Sequence, residues 1–123
     1  LDLINMKTIA EKVFEPLRKF VGGPIAINSF YRSPKLNSAI GGSTSSQHCI
    51  GCALDIDDNY GHKTNEEMYN YVKNNLDFDQ VIWEFGDDKN PDWVHVSYVS
   101  EDANRRRCLQ AYKENSKTKY KII

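Results

Sequence analysis

Long apolar runs are missing from this chain. No stretch of its 123 residues approaches the ~20 consecutive apolar residues of a membrane span, which excludes a transmembrane helix. No charged-then-apolar leader opens the chain, which starts at Leu1, so a soluble product of open localisation is expected. Three cysteines cannot all pair within one chain, and this excludes a complete disulfide framework. Internal repeats, low-complexity segments and linkers are also lacking, so residues 1–123 read as one domain with a single core. Strong charge of either sign is absent overall, at −1, but the distribution is uneven. From Ala103 onward seven Lys or Arg face the single acid Glu114, a balance of +6 that leaves −7 for residues 1–102. Without aromatic interleaving beyond Tyr112 and Tyr120, this basic end is a poor match to a nucleic-acid surface; it reads as a solvated face.

What is present is a concentrated set of metal-ligating residue types. Ser46 to Asp55 reads Ser-Gln-His-Cys-Ile-Gly-Cys-Ala-Leu-Asp, and Trp93-Val94-His95-Val96-Ser97 follows further on. Two imidazoles and one carboxylate form the ligand set of an open zinc site, with the fourth position left to water. Gly51 to Asp57 alternates, placing Cys52, Leu54 and Ile56 toward a core and Ala53, Asp55 and Asp57 the other way. Trp93 to Val99 alternates as well, with Val94, Val96 and Tyr98 on one side and Trp93, His95 and Ser97 on the other. If both strands join one sheet, Asp55 and His95 share a face, and His48 in the preceding loop can reach them. Taken singly, a His beside a Trp is commonly a hydrogen-bonded core or surface residue, and Asp55 could serve a turn or an ion pair. His62, in the polar turn Tyr60-Gly61-His62-Lys63, reads as solvated. Cys49-Ile-Gly-Cys52 has the spacing of a zinc knuckle or redox pair, but Cys108 is distant and a structural zinc wants four ligands. Small buried thiols beside the site are the preferred reading.

Ser-x-His-x-x-Gly-x-Ala-x-Asp followed by Trp-x-His resembles the zinc peptidases of bacterial cell walls. These are the D-Ala-D-Ala carboxypeptidases and dipeptidases and the phage endolysins that cut between L-Ala and D-Glu, which share their fold with the hedgehog signalling domain. The likeness extends to Tyr31-Arg32-Ser33-Pro34-Lys35-Leu36-Asn37 with Gly41-Gly42, to Phe78 through Glu84, and to Asn104-Arg105-Arg106. The resemblance implies one Zn2+ held by His48, Asp55 and His95, with Arg32 and Ser46 holding and polarising the substrate and with Gln47 and Trp93 beside it. A guanidinium fork suits the carboxylates of peptidoglycan stem peptides or a developing oxyanion; otherwise Arg32 is a solvated loop cation. The family often carries Glu three residues before the last His as general base, where this chain has Asp92; Glu84 is the rival carboxylate.

The expected activity is therefore hydrolysis of stem-peptide bonds, of the D-Ala-D-Ala carboxypeptidase or L-Ala-D-Glu endopeptidase type, in a monomer acting at the cell wall. A phage or prophage lysin, cytoplasmic until lysis, or a small accessory peptidase fits the compactness of the chain. The competing expectation is a wall-binding or receptor-binding module on the same fold that does not hydrolyse, but both candidate bases are present. The fold expected is α+β, an antiparallel sheet with flanking helices. Met6 to Phe14 has helical spacing that Pro16 interrupts, so a kink or a second short turn ending at Gly22-Gly23 is expected, and Pro24 to Arg32 reads as a strand leading into the Ser33-Pro34 turn. Thr64-Asn65-Glu66-Glu67 is a capping box opening a helix that buries Met68, Tyr71, Val72 and Leu76. Gln80–Phe85 and Trp93–Val99 read as neighbouring strands. Arg107–Tyr112 and Thr118–Ile123 are either a hairpin around Asn115-Ser116 or a helix followed by a strand.

Overall fold

The computed structural model describes residues 2–29 and 53–123. Its first segment stays helical through the proline that the sequence reading took as an interruption: α1 (Asp2–Ile9), a π-helical turn (Ala10–Phe14) and α2 (Glu15–Val21) follow without a break. Pro16 sits in the first turn of α2. A proline lacks the N–H of the ladder and crowds the carbonyl four residues back, and a wider π turn just before it relieves both. Ile9, Val13, Leu17 and Val21, four residues apart, form one buried stripe. The helix stops at Gly22, which takes φ 78° and donates its N–H to the Arg18 carbonyl.

The second helix segment, α3 (Asn65–Asn75), opens with the expected capping box. Thr64 Oγ1 accepts from the Glu67 N–H at 3.1 Å, and the Glu67 carboxylate accepts from the Thr64 N–H at 3.1 Å. Met68, Tyr69 and Val72 are its buried apolar residues, whereas Tyr71 and Leu76 pack at the margin, Tyr71 stacked on Phe20 with centroids 4.1 Å apart.

Six strands, β1 (Ala26–Ser29), β2 (Ala53–Asp57), β3 (Gln80–Glu84), β4 (Trp93–Ser97), β5 (Arg107–Glu114) and β6 (Lys117–Ile122), form one sheet in the order β1-β2-β4-β3-β5-β6. The α+β class is as expected, but the sheet is mixed rather than antiparallel, because β3 and β5 run parallel. After β4 the chain crosses the end of β3 and returns on its far side, so two reversals restore the direction of β3. Asp79 anchors that crossing. Its buried carboxylate takes the Arg105 Nε and Nη2 at 2.9 and 2.8 Å and the Arg105 N–H at 3.0 Å, while its carbonyl accepts from Arg107 at 2.9 Å. The last two strands form a hairpin whose turn residues Asn115 and Ser116 both take positive φ, the signature of a two-residue primed turn.

One face of the sheet carries Leu54, Ile56, Val81, Trp83, Val94 and Val96 against the helical stripe, and this is the main core. Each fully buried aliphatic there contributes about 1.5–3 kcal/mol by leaving water. Consuming one face in this way hands the other face of the same strands to Asp55, His95 and Glu84, with a small second apolar cluster of Ile82, Leu109 and Ala111 among them.

Candidate metal centre and active face

Strand register brings the two distant acidic and imidazole positions together. Asp55 on β2 lies directly opposite His95 on β4, with Leu54 opposite Val96 and Ile56 opposite Val94 pointing into the core. Across a pleated pair, opposite residues share a face. Asp55 Oδ1 and His95 Nδ1 are 3.0 Å apart, their side chains 19% and 13% exposed. With a proton on Nδ1 the contact is a hydrogen bond from imidazole to carboxylate. Without it, the two atoms are metal-ligating donors held side by side. Two ligands of a tetrahedral zinc at about 2.0–2.2 Å stand roughly 3.3 Å apart, so this pair needs little movement to share an ion. The donor set and its spacing fit zinc.

His48, the expected third ligand, lies outside the described residues, as do Arg32, Ser46, Gln47, Cys49 and Cys52. Among the described residues no three His, Cys, Asp or Glu side chains gather as a metal site. Asp57, which shares the parity of Asp55, is engaged in structure. Its Oδ1 accepts from Asn65 Nδ2 at 2.9 Å and from the Asp58 N–H at 2.8 Å.

The two candidate bases are placed differently. Glu84 ends β3 opposite Trp93, two pairs along from the Ile82–His95 pair, so it shares the Asp55–His95 face; its side chain is buried. Asp92 precedes β4 at a bend and is exposed, its N–H donating to the Glu84 carbonyl at 2.9 Å. That bend is built by the loop between β3 and β4. Gly86 takes φ 71°, and a Cβ there would fall 2.2 Å from the Asn90 carbonyl oxygen. The Asp87 carboxylate accepts the N–H groups of Lys89 and Asn90, which hold it below the ordinary aspartate range. Trp93 is half-buried, its ring 5.5 Å from that of Phe85. His62 is exposed, as expected, with its ring close against Gly23.

Asn65 is a residue that sequence reasoning missed. Its Nδ2 reaches the carbonyls of both Pro91 and Asp92 at 3.1 Å as well as Asp57, tying the start of α3 to the strand that delivers His95. The capping-box pattern treats that position as a spacer, so no local signal reveals its long-range role. Tyr120 on β6 is another: register puts it on the active face, in a segment that read only as basic and solvated.

Residues 4–97 match the model of the family described as Peptidase M15. The chain belongs to this family, that of the zinc D-Ala-D-Ala carboxypeptidases. Membership supports, at the level of the family, a peptidoglycan-related zinc metallopeptidase. No curated protein matches the chain. The matched stretch contains Asp55, Glu84, Asp92 and His95 and ends with β4, leaving the β5–β6 hairpin beyond it. No helix among the described residues is long and apolar enough to cross a membrane.

Proposed function

We propose that this chain hydrolyses peptide bonds in peptidoglycan stem peptides, as a D-Ala-D-Ala carboxypeptidase or an L-Ala-D-Glu endopeptidase. The observation that carries the reading is the Asp55–His95 pair, 3.0 Å apart on a sheet face that also holds Glu84. Asp55, His95 and His48 hold the metal. Bound zinc supplies Lewis acidity toward the scissile carbonyl and a water whose pKa is lowered to about 7. Glu84 takes the proton of the attacking water and returns it to the leaving amine. Its place on the ligand face supports it over Asp92, which the motif spacing favours but which is exposed at the strand entrance. Arg32, Ser46, Gln47 and Trp93 bind the substrate, the Arg32 guanidinium fork pairing with a carboxylate or the developing oxyanion. Residues 1–123 act as one peptidase domain, because a single sheet runs from β1 to β6.

Digestion of purified peptidoglycan, with products identified by mass spectrometry, tests the activity and names the bond. Loss of a terminal D-Ala marks the carboxypeptidase and separation of L-Ala from D-Glu the endopeptidase. Wall binding without any release of product would replace the enzyme by a binding module. The metal assignment has its own readout: zinc content near one per chain that falls in His48→Ala, Asp55→Ala and His95→Ala and persists in the Cys49→Ser, Cys52→Ser double variant. A chelator should abolish turnover reversibly. Full metal retention in both histidine variants would sink the ligand set.

A further inference from the structure

The β5–β6 hairpin carries charge that the metal centre does not use. Residues 103–123 hold seven Lys or Arg against Glu114 alone, and three of those cations already have an acid nearby. Arg105 covers Asp79 at 2.8 Å, Arg106 stands 3.7 Å from Asp77, and Lys119 stands 4.0 Å from Glu114, both of that last pair about half exposed. An exposed pair at such a distance contributes little. Arg107, Lys113, Lys117 and Lys121 have no carboxylate within ion-pair range among the described residues.

Register arranges the lysines. Lys117, Lys119 and Lys121 stand opposite Glu114, Tyr112 and Gln110, and Gln110 stands opposite Trp83 of the core face. The three lysines therefore lie on the reverse side of the sheet from Asp55, His95 and Glu84. Thr118, Tyr120 and Ile122 take the other side. Every residue of β6 is exposed, and among the described residues no strand lies beyond it. Alternate residues of a strand are about 6.7 Å apart, so the lysines are rooted in a row roughly 13 Å long. Lysines on an edge strand also discourage pairing with another sheet. That protection is local, and it does not account for a cluster of unpaired cations in a chain whose first 102 residues carry −7.

Partner chemistry follows from the residue type and the shape of the row. Lys is a compact point charge that attracts phosphate without the planar geometry by which Arg grips a carboxylate, which suits a flexible phosphate polymer. A bilayer surface would need cations and apolar groups on one side, whereas Tyr120 and Ile122 face away from the lysines. Single-stranded nucleic acid would need an open aromatic face for its bases, and on this side the Tyr112 ring has Lys121 Nζ over it, 5.7 Å from the centroid.

We propose that the lysine row of β6 binds a phosphate-bearing polyanion of the cell wall and anchors the chain there. Four strand spacings, roughly 19 Å, separate β6 from β2, and the row is on the opposite face, so anchoring leaves the metal pair free. The inference goes beyond the peptidase reading and does not require hydrolysis; the family's relation to peptidoglycan is what brings such polymers within reach.

The probes are soluble poly(glycerol phosphate), phosphatidylglycerol vesicles and a DNA duplex. Binding is read by calorimetry on wild type and on a Lys117→Gln, Lys119→Gln, Lys121→Gln variant. Each lysine close to an anionic surface contributes about fivefold in affinity. Wild type is expected to bind the phosphate polymer at about 0.05 M salt and to release it at about 0.5 M, as the screening length shortens. The triple variant should bind at least about tenfold more weakly, with an unchanged melting temperature. No binding by wild type at low salt overturns the proposal, and so does equal binding by the folded variant, which would leave the lysines only their edge protection. Vesicles or duplex bound as tightly as the polymer overturn it in favour of an unspecific polycationic surface. Should the triple variant not fold, Lys117→Gln and Lys121→Gln are each expected to weaken binding several-fold, and no change in either overturns the assignment. Failure of peptide hydrolysis, measured separately, would remove the peptidase reading and leave polymer binding untouched.

Discussion

A carboxylate that serves as general base has to sit on the face where water is activated and keep its charge there. Glu84 meets the first requirement through strand register, opposite Trp93 and two pairs along from the Ile82–His95 pair. Asp92 has the spacing to His95 but sits exposed at a bend, with only its backbone tied down, to Glu84 and Asn65. Removing a general base costs about 10² to 10⁴ in rate without displacing the metal. Glu84→Gln is thus expected to be nearly inactive yet zinc-loaded, and Asp92→Asn to retain most of its turnover. Hydrolysis rates measured with metal content on the same preparations decide between them, and the opposite ranking transfers the role to Asp92. The candidate ligands Asp55 and His95 were legible because two short alternating runs told which residues share a face. Asn65 was not, since its partners at Pro91 and Asp92 are 26 and 27 positions away and only folding makes them neighbours.

Among the elements, α3 owes its position and start to Thr64 and Asn65. The capping box satisfies backbone donors that the first helical turn leaves open. Losing a threonine N-cap typically costs about 1 kcal/mol, so Thr64→Ala should lower the unfolding free energy by that order in denaturant titrations. Glu67 adds a pH dependence with a definite sign. Its carboxyl is held below the ordinary glutamate value, chiefly by the Thr64 backbone N–H. A depressed acid stabilises the fold above its unfolded pKa, and the contribution is lost as pH falls through the folded value. In Glu67→Gln, which removes the titrating carboxyl, that part of the acid limb should be lost, read from stability at pH 7 against pH 3; an unchanged limb would show that the Glu67 carboxylate contributes nothing to it. Pro16 shows the opposite case. The sequence predicts a kink or a second short turn ending at Gly22-Gly23; the segment does end at Gly22, but a π turn over Ala10–Phe14 joins it to the first helix, because packing of Ile9, Val13, Leu17 and Val21 on the sheet rewards one continuous stripe.

Across the whole molecule, the mixed sheet depends on a contact far apart in sequence. Asp79 at the mouth of β3 is 1% exposed, and Arg105 covers it from the far end of the crossing. The arginine is half exposed, so its own charge is screened, and the cost of losing it is set by the carboxylate left buried. Arg105→Ala is expected to destabilise by about 2–3 kcal/mol, toward the lower end for breaking a buried pair. A melting curve checks this, and the Asp79→Asn, Arg105→Ala double variant should recover part of the loss if the stranded charge is the cause. Equal stability of Arg105→Ala and wild type would show that β5 is held by its ladder alone.

Sequence by itself determined the α+β class, the capped helix, the paired strands of the core and the shared face of Asp55 and His95. All of these follow from periodicity and local hydrogen bonding within a few residues. The parallel placement of β5, the choice of hairpin over helix at the C-terminus, the structural engagement of Asp57 and the arrival of Tyr120 on the active face were decided only in three dimensions. Each depends on which strand lies beside which, and that is settled by the crossing that Asp79 and Arg105 hold, an interaction between residues 26 positions apart that no local pattern encodes.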